Sequence, residues 1–177
     1  MSRATPETGR GVPERMRGLS AWLRNRSLSR RGVQLRDGVH VENVRFRGTA
    51  LIEPDCRLVG DPEIVLGDRF YLNACSEIRG DVVFGDDVLI GPKAVIWDRC
   101  DPTHPDGHER APVRIGDDVW LAAACVVMGG VTIGSGAVVG AGAVVSEDLP
   151  EGAIAVGNPA RIVRWREPGL RAPAERG

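Results

Sequence analysis

Aromatic side chains are scarce, at 5% of 177 residues, so an interior built on stacked rings is excluded and valine, isoleucine, leucine and alanine must fill it. Cysteines are few and scattered. Cys56, Cys75, Cys100 and Cys125 lie 19 to 25 residues apart with no CxxC pair. That excludes a zinc ribbon and a dithiol redox motif and fits packing residues in a reducing compartment. No apolar segment of a signal peptide follows Met1, so the expected address is the cytoplasm. A net charge of -1 gives the chain as a whole no electrostatic hold on nucleic acid.

That charge is unevenly divided. Residues 1–31 hold eight arginines against Glu7 and Glu14, so this segment carries +6 and the remainder -7. In "PERMRGLSAWLRNRSLSRR" the apolar residues Met16, Leu19, Trp22 and Leu23 fall at helical spacing, with arginines on the other sides. A short helix laid against the end or side of the rest of the chain, or a partly disordered arm, is the expectation. A basic amphipathic segment also suits a membrane surface.

The one long uncharged run, 119–145, is long enough for a bilayer crossing. It holds six glycines and eight valines, a poor helix composition, since each glycine costs about 1 kcal/mol relative to alanine. Its aliphatic residues recur every six positions, at Ile115, Leu121, Val127, Ile133, Val139 and Val145. A small or branched residue stands four places after each of the first five, at Val119, Cys125, Val131, Ala137 and Ala143. The same register runs earlier through Leu66, Leu72, Ile78, Phe84, Ile90 and Ile96, with Phe70, Ser76, Val82, Val88, Ala94 and Cys100 in the second slot. A shorter run precedes it at Phe46, Ile52, Leu58 and Ile64. Gly116, Gly134 and Gly140 follow aliphatic residues, where positive φ would turn the chain through a corner.

A fixed short period indicates a solenoid, in which stacking supplies the core that no single unit has. One hexad gives a strand and a corner, and three close a triangular coil of 18 residues, stacked about 4.8 Å from the next. The narrow interior favours the small second residue. From Phe84 to Ile115 is 31 residues, so 13 are extra, and they fall between Ile96 and Val113. The extruded loop, about 97–112, reads "WDRCDPTHPDGHERAP" and holds His104 and His108. A polar loop on a rigid column is where function is expected. An imidazole there can take a proton from a hydroxyl or amine, worth ~10²–10⁴ in rate, or ligate zinc.

The run "VRIGDDVWLAAACVVMGGVTIGSGAVVGAGAVVSEDLPEGAIAVGNPARIVR", with the "THP" loop before it, resembles the terminal coils of acetyl-CoA-dependent galactoside, maltose and serine acetyltransferases. The likeness is nearest to the sugar O-acetyltransferases and covers about residues 66–164. It implies an all-β fold, a left-handed parallel β-helix over 32–165 that departs from the usual right-handed crossover, followed by a tail at 166–177. It also implies a homotrimer, and transfer from acetyl-CoA directly to a sugar-like acceptor with no acyl-enzyme and no metal. By the same resemblance His104 is the general base, and a backbone N–H near Ala123 stabilises the charge developing on the thioester oxygen. Asn73 and Asp81 match acceptor contacts, an amide and a carboxylate that suit a polyol. Trp120, Ala123, Ala141, Ser146, Arg161 and Arg164 match contacts to coenzyme A, the arginines suiting its phosphates.

Three departures stand out. Glu147 replaces a common lysine, and Ala122 and Ala123 replace a glycine and its small or polar neighbour. Residues 1–31 do not resemble the N-terminal region of the maltose and galactoside enzymes, so acceptor specificity does not carry over. An amine acceptor is the near alternative, because the same base serves both nucleophiles. A γ-type carbonic anhydrase would need His40, His104 and His108 on zinc, a sufficient number at unsuitable spacing. A non-catalytic scaffold would have no need for His104, Trp120 and the arginine pair together.

Overall fold

A computed structural model describes residues 28–99 and 110–167 of the chain. The basic arm with Met16, Leu19, Trp22 and Leu23, the loop residues Cys100, His104 and His108, and the tail from 168 lie outside the described residues. The rest winds as a left-handed parallel β-helix of about six turns.

Each turn passes three faces. The first stacks β1 (Val33–Leu35), β3 (Ala50–Ile52), β5 (Phe70–Leu72), β7 (Leu89–Ile90), β10 (Trp120–Leu121), β13 (Val138–Val139) and β15 (Ala153–Val156), all parallel. In the lower turns β2 (His40–Phe46), β4 (Arg57–Leu66) and β6 (Glu77–Phe84) bend around the edge shared by the second and third faces. Above them the second face continues through β8 (Val95–Trp97), β11 (Val126–Val127) and β14 (Val144–Val145). The third continues through β9 (Val113–Ile115) and β12 (Thr132–Ile133). At the top the chain reverses, and β16 (Arg161–Trp165) pairs antiparallel with β15. The uncharged run 119–145 is thus the strands and corners of the upper turns.

Hexad residues form the interior in layers. Ile52, Leu72, Ile90, Leu121, Val139 and Ala155 lie in register and are fully buried, as are Leu58, Ile78, Ile96, Val127 and Val145 on the second face. Ser76 takes a second slot because its hydroxyl donates to the Gly91 carbonyl at 3.2 Å and accepts the Ala94 N–H at 3.1 Å. Cys56 and Cys125 are buried in the same slots, whereas Cys75 is an exposed corner residue.

Two details differ from the hexad reading. Ile64 pairs with Val82 and so sits in the second slot, because the second turn holds two extra residues between Gly60 and Ile64; the register resumes at Leu66. Positive φ is also absent from Gly116, Gly134 and Gly140. It falls two residues later, at Asp118, Gly136 and Gly142. The three glycines are needed for close approach: an added Cβ would lie 2.6 Å from Ser135 Oγ at Gly116, 2.4 Å from the Glu151 nitrogen at Gly134 and 2.7 Å from Val156 Cγ1 at Gly140.

Candidate functional site

The residues singled out from the sequence separate onto two corners. Asn73, Ala123 and Ala141 occupy the corner between the first and second faces, on the third, fifth and sixth turns. Trp120 and Arg164 border that corner from the first face, in the outward column Leu89, Trp120, Val138, Ile154, Arg164. Asn73 shapes its corner, its side-chain oxygen accepting the Ala74 N–H at 2.7 Å while its carbonyl accepts the Cys56 thiol at 3.1 Å. Its side-chain NH₂ has no partner among the described residues. At Ala123 the carbonyl accepts the Gly142 N–H at 2.9 Å, and the Ala122 N–H goes to the Val139 carbonyl, also at 2.9 Å. The Ala123 N–H is not taken up by the described backbone ladder, which leaves it as a donor.

The other corner, between the second and third faces, carries the inserted loop. Ile78 to Val82 spans four residues on the third turn, whereas their partners Ile96 and Val113 on the fourth are seventeen apart, which places all thirteen extra residues here. Trp97 still pairs with Arg79, so the departure begins at Asp98. An antiparallel bridge between Arg99 and Arg110 closes the stem. Arg110 ties the stem to the second turn, donating to the Asp61 carbonyl at 3.1 Å and to its carboxylate, and that bond holds the Asp61 carboxyl below its ordinary range.

Directly beneath the stem, Asp98 is 1% exposed and accepts the Asp81 N–H at 3.1 Å. Gly80 makes this possible: at φ 90° it passes so close that an added Cβ would fall 1.9 Å from the Asp98 carboxyl carbon. The half-buried Asp81 carboxylate accepts from Arg114 Nη1 at 2.9 Å, so Arg114 orients the side chain while Asp98 holds the backbone N–H. The Arg79 guanidinium lies 6.0 Å from the Trp97 ring centroid, within cation–π range. Sequence reasoning missed Asp98, Gly80 and Arg114. The available signal was a glycine and an aspartate 18 residues apart, one turn of the winding.

Ser146 stands at this second corner on the sixth turn. Beside it Glu147 Oε1 lies 3.5 Å from Arg161 Nη1, so the carboxylate found in place of a common lysine draws on one of the arginines expected at phosphates. His40 belongs to the first turn, in register with Arg57, Glu77 and Val95, hence about 14 Å below the stem. Its Nε2 lies 3.7 Å from Glu42. Among the described residues no three His, Cys, Asp or Glu side chains gather as a metal-binding set.

Comparison with known proteins bears on this geometry. The family model described as bacterial transferase hexapeptide (six repeats) matches residues 112–147. Galactoside O-acetyltransferase of Escherichia coli (strain K12) is 32% identical over 163 residues, covering 87% of this chain and 80% of that protein. A solved galactoside acetyltransferase in complex with coenzyme A has a TM-score of 0.61 at 27% identity, covering 82% of this chain and 80% of that one. A variant of perosamine N-acetyltransferase from Caulobacter crescentus, solved with CoA and GDP-perosamine, has a TM-score of 0.64 at 23% identity, covering 83% of this chain and 65% of that one, a likeness of fold.

Proposed function

Because the chain belongs to the hexapeptide-repeat acyltransferases, we propose that it transfers acetyl from acetyl-CoA to a hydroxyl of a sugar or glycan precursor. The observation that carries this reading is the polar corner where the winding breaks. There an oriented carboxylate, Asp81, sits under the loop whose sequence supplies His104.

In this mechanism His104 takes the proton of the acceptor hydroxyl as its oxygen bonds to the thioester carbonyl carbon. The Ala123 N–H donates to the oxyanion that forms. When the carbon–sulfur bond breaks, His104 returns the proton to the departing thiolate. Asp81 and the Asn73 amide hold acceptor hydroxyls. Trp120, Ala123, Ala141 and Ser146 lie along the coenzyme, with Arg161 and Arg164 at its phosphates.

Asn73 and Ala123 stand on one corner and Asp81 and the loop on another, with the second face between them. One ligand can touch both sets if two protomers meet corner to corner. A homotrimer with its second faces turned to the axis gives that arrangement three times. The outward residues of this face support it, since Val95, Val126 and Val144 form a column of half-buried valines and Trp97 is 43% exposed.

The test follows free thiol release from acetyl-CoA with neutral sugars, nucleotide sugars and amino sugars offered in parallel. Turnover with hydroxyl acceptors is expected, and turnover confined to amino sugars would replace O-transfer with N-transfer. His104→Ala is expected to lose ~10²–10⁴ in turnover. Its thermal stabilisation by acetyl-CoA should persist, at about 2.7 kcal/mol for ligand at 100 times its Kd. Activity within about ten-fold of wild type would reject His104 as the base.

A further inference from the structure

Among the described residues, nothing covers the lower end of the column. Phe46 pairs with the fully buried Leu66 yet is itself only partly covered, and Leu28, Leu35, Val39 and Val44 are in the same condition. The upper end differs, with Ala153 and Ala155 fully buried beside β16. At the lower end a cleft of about 360 Å³ is lined by Leu28, Val41, Glu42, Asn43, Val44 and Phe46. A solenoid needs such an end covered by a unit with a polar outer side.

We propose that this cleft seats residues 15–27 of the same chain, with Met16, Leu19, Trp22 and Leu23 laid on Val41, Val44 and Phe46. Three observations choose this occupant. Leu28, the first described residue, already lines the cleft, so the chain enters it from the N-terminal side. Leu23 stands five positions before Leu28, a reach of at most about 18 Å, which keeps its side chain at this end of the column at millimolar effective concentration. The segment also has the composition of a cap: four apolar residues at helical spacing, Arg17 and Arg24 on the opposite side, and Arg15 and Arg26 at the two ends of the stripe as partners for Glu42 on the lip. The proposal is independent of the acyltransferase reading.

Native trypsin digestion of the full chain tests it, because the segment is dense in arginine. Cleavage after Arg15, Arg17, Arg24 and Arg26, followed by mass, is expected to be slow in the wild type. Trp22→Ser, which lies outside the solenoid, should accelerate it about ten-fold or more, as cleavage tracks the open population. Phe46→Ser should do the same from the other side of the contact. Wild-type cleavage as fast as that of Trp22→Ser would overturn the proposal. So would protection that arises only on adding phosphatidylglycerol vesicles, which would assign the segment to a membrane surface.

Discussion

At single positions, backbone geometry explains residue choices that chemistry alone does not. Gly116, Gly134 and Gly140 are small because the turn above lies against them, whereas Ala124 carries a side chain at φ 55°, a conformation costing an L-residue roughly 1–2 kcal/mol. Ala124→Gly should therefore raise the melting temperature by a few degrees, the relief being partly offset by greater freedom of the unfolded chain. Gly85→Ala should do the reverse and more, since its Cβ would fall 2.1 Å from an Asp117 carboxylate oxygen and 2.8 Å from backbone atoms. Differential scanning calorimetry checks both. Burial pushes the Cys125 thiol up to about 12 and raises that of Cys56, so both remain protonated at pH 8. Iodoacetamide at that pH, read by peptide mass, should modify Cys75 and spare Cys56 and Cys125 until denaturant is added.

Among the elements, a ladder of side chains ties the corner between the third and first faces. Asp68 accepts the Thr49 N–H at 2.7 Å, Asp86 the Asp68 N–H and Asp117 the Asp86 N–H, both at 2.8 Å, and Ser135 Oγ the Asp117 N–H at 3.1 Å. The Thr49 N–H and then its hydroxyl hold the Asp68 carboxyl below 3.8. A carboxyl depressed in the folded chain stabilises it above its unfolded value, and that stabilisation is lost as pH falls through the folded value. Melting temperature should thus decline below about pH 4, and Asp68→Asn should make the decline shallower. β16 is held by Arg166, whose side chain is 8% exposed and donates to the carbonyls of Asp118 at 3.0 Å and Gly136 at 3.1 Å while pairing with Asp118. Arg166→Met should cost about 1.5–3 kcal/mol, read by denaturant unfolding. The hexads disclosed the fold because each inward residue repeats a local rule, and subtracting one turn from the spacing bracketed the insertion between Ile96 and Val113, the residues whose pairing bounds it. Asp81 was legible from the resemblance, but its partners Asp98 and Arg114 stayed hidden because they meet it only across turns, 17 and 33 residues away, and one glycine–aspartate pair at one-turn spacing is not a repeat.

For the molecule as a whole, the proposed three-fold assembly turns on the outward side of the second face. Val126 points outward from the second face, between Val95 and Val144, and contributes nothing to the interior of its own protomer. Val126→Asp should leave the circular dichroism spectrum intact, convert the trimer to monomer in sedimentation and abolish turnover, since each protomer would then hold half a site. The winding resumes in phase above the loop, with Val113 over Val82 and Val127 over Ile96. The loop is therefore a detachable cassette. Doubling its length would add only about 0.6 kcal/mol of closure entropy, so on the proposed function residues can be added around His104 while Asn73 and Asp81, which belong to the column, keep their places.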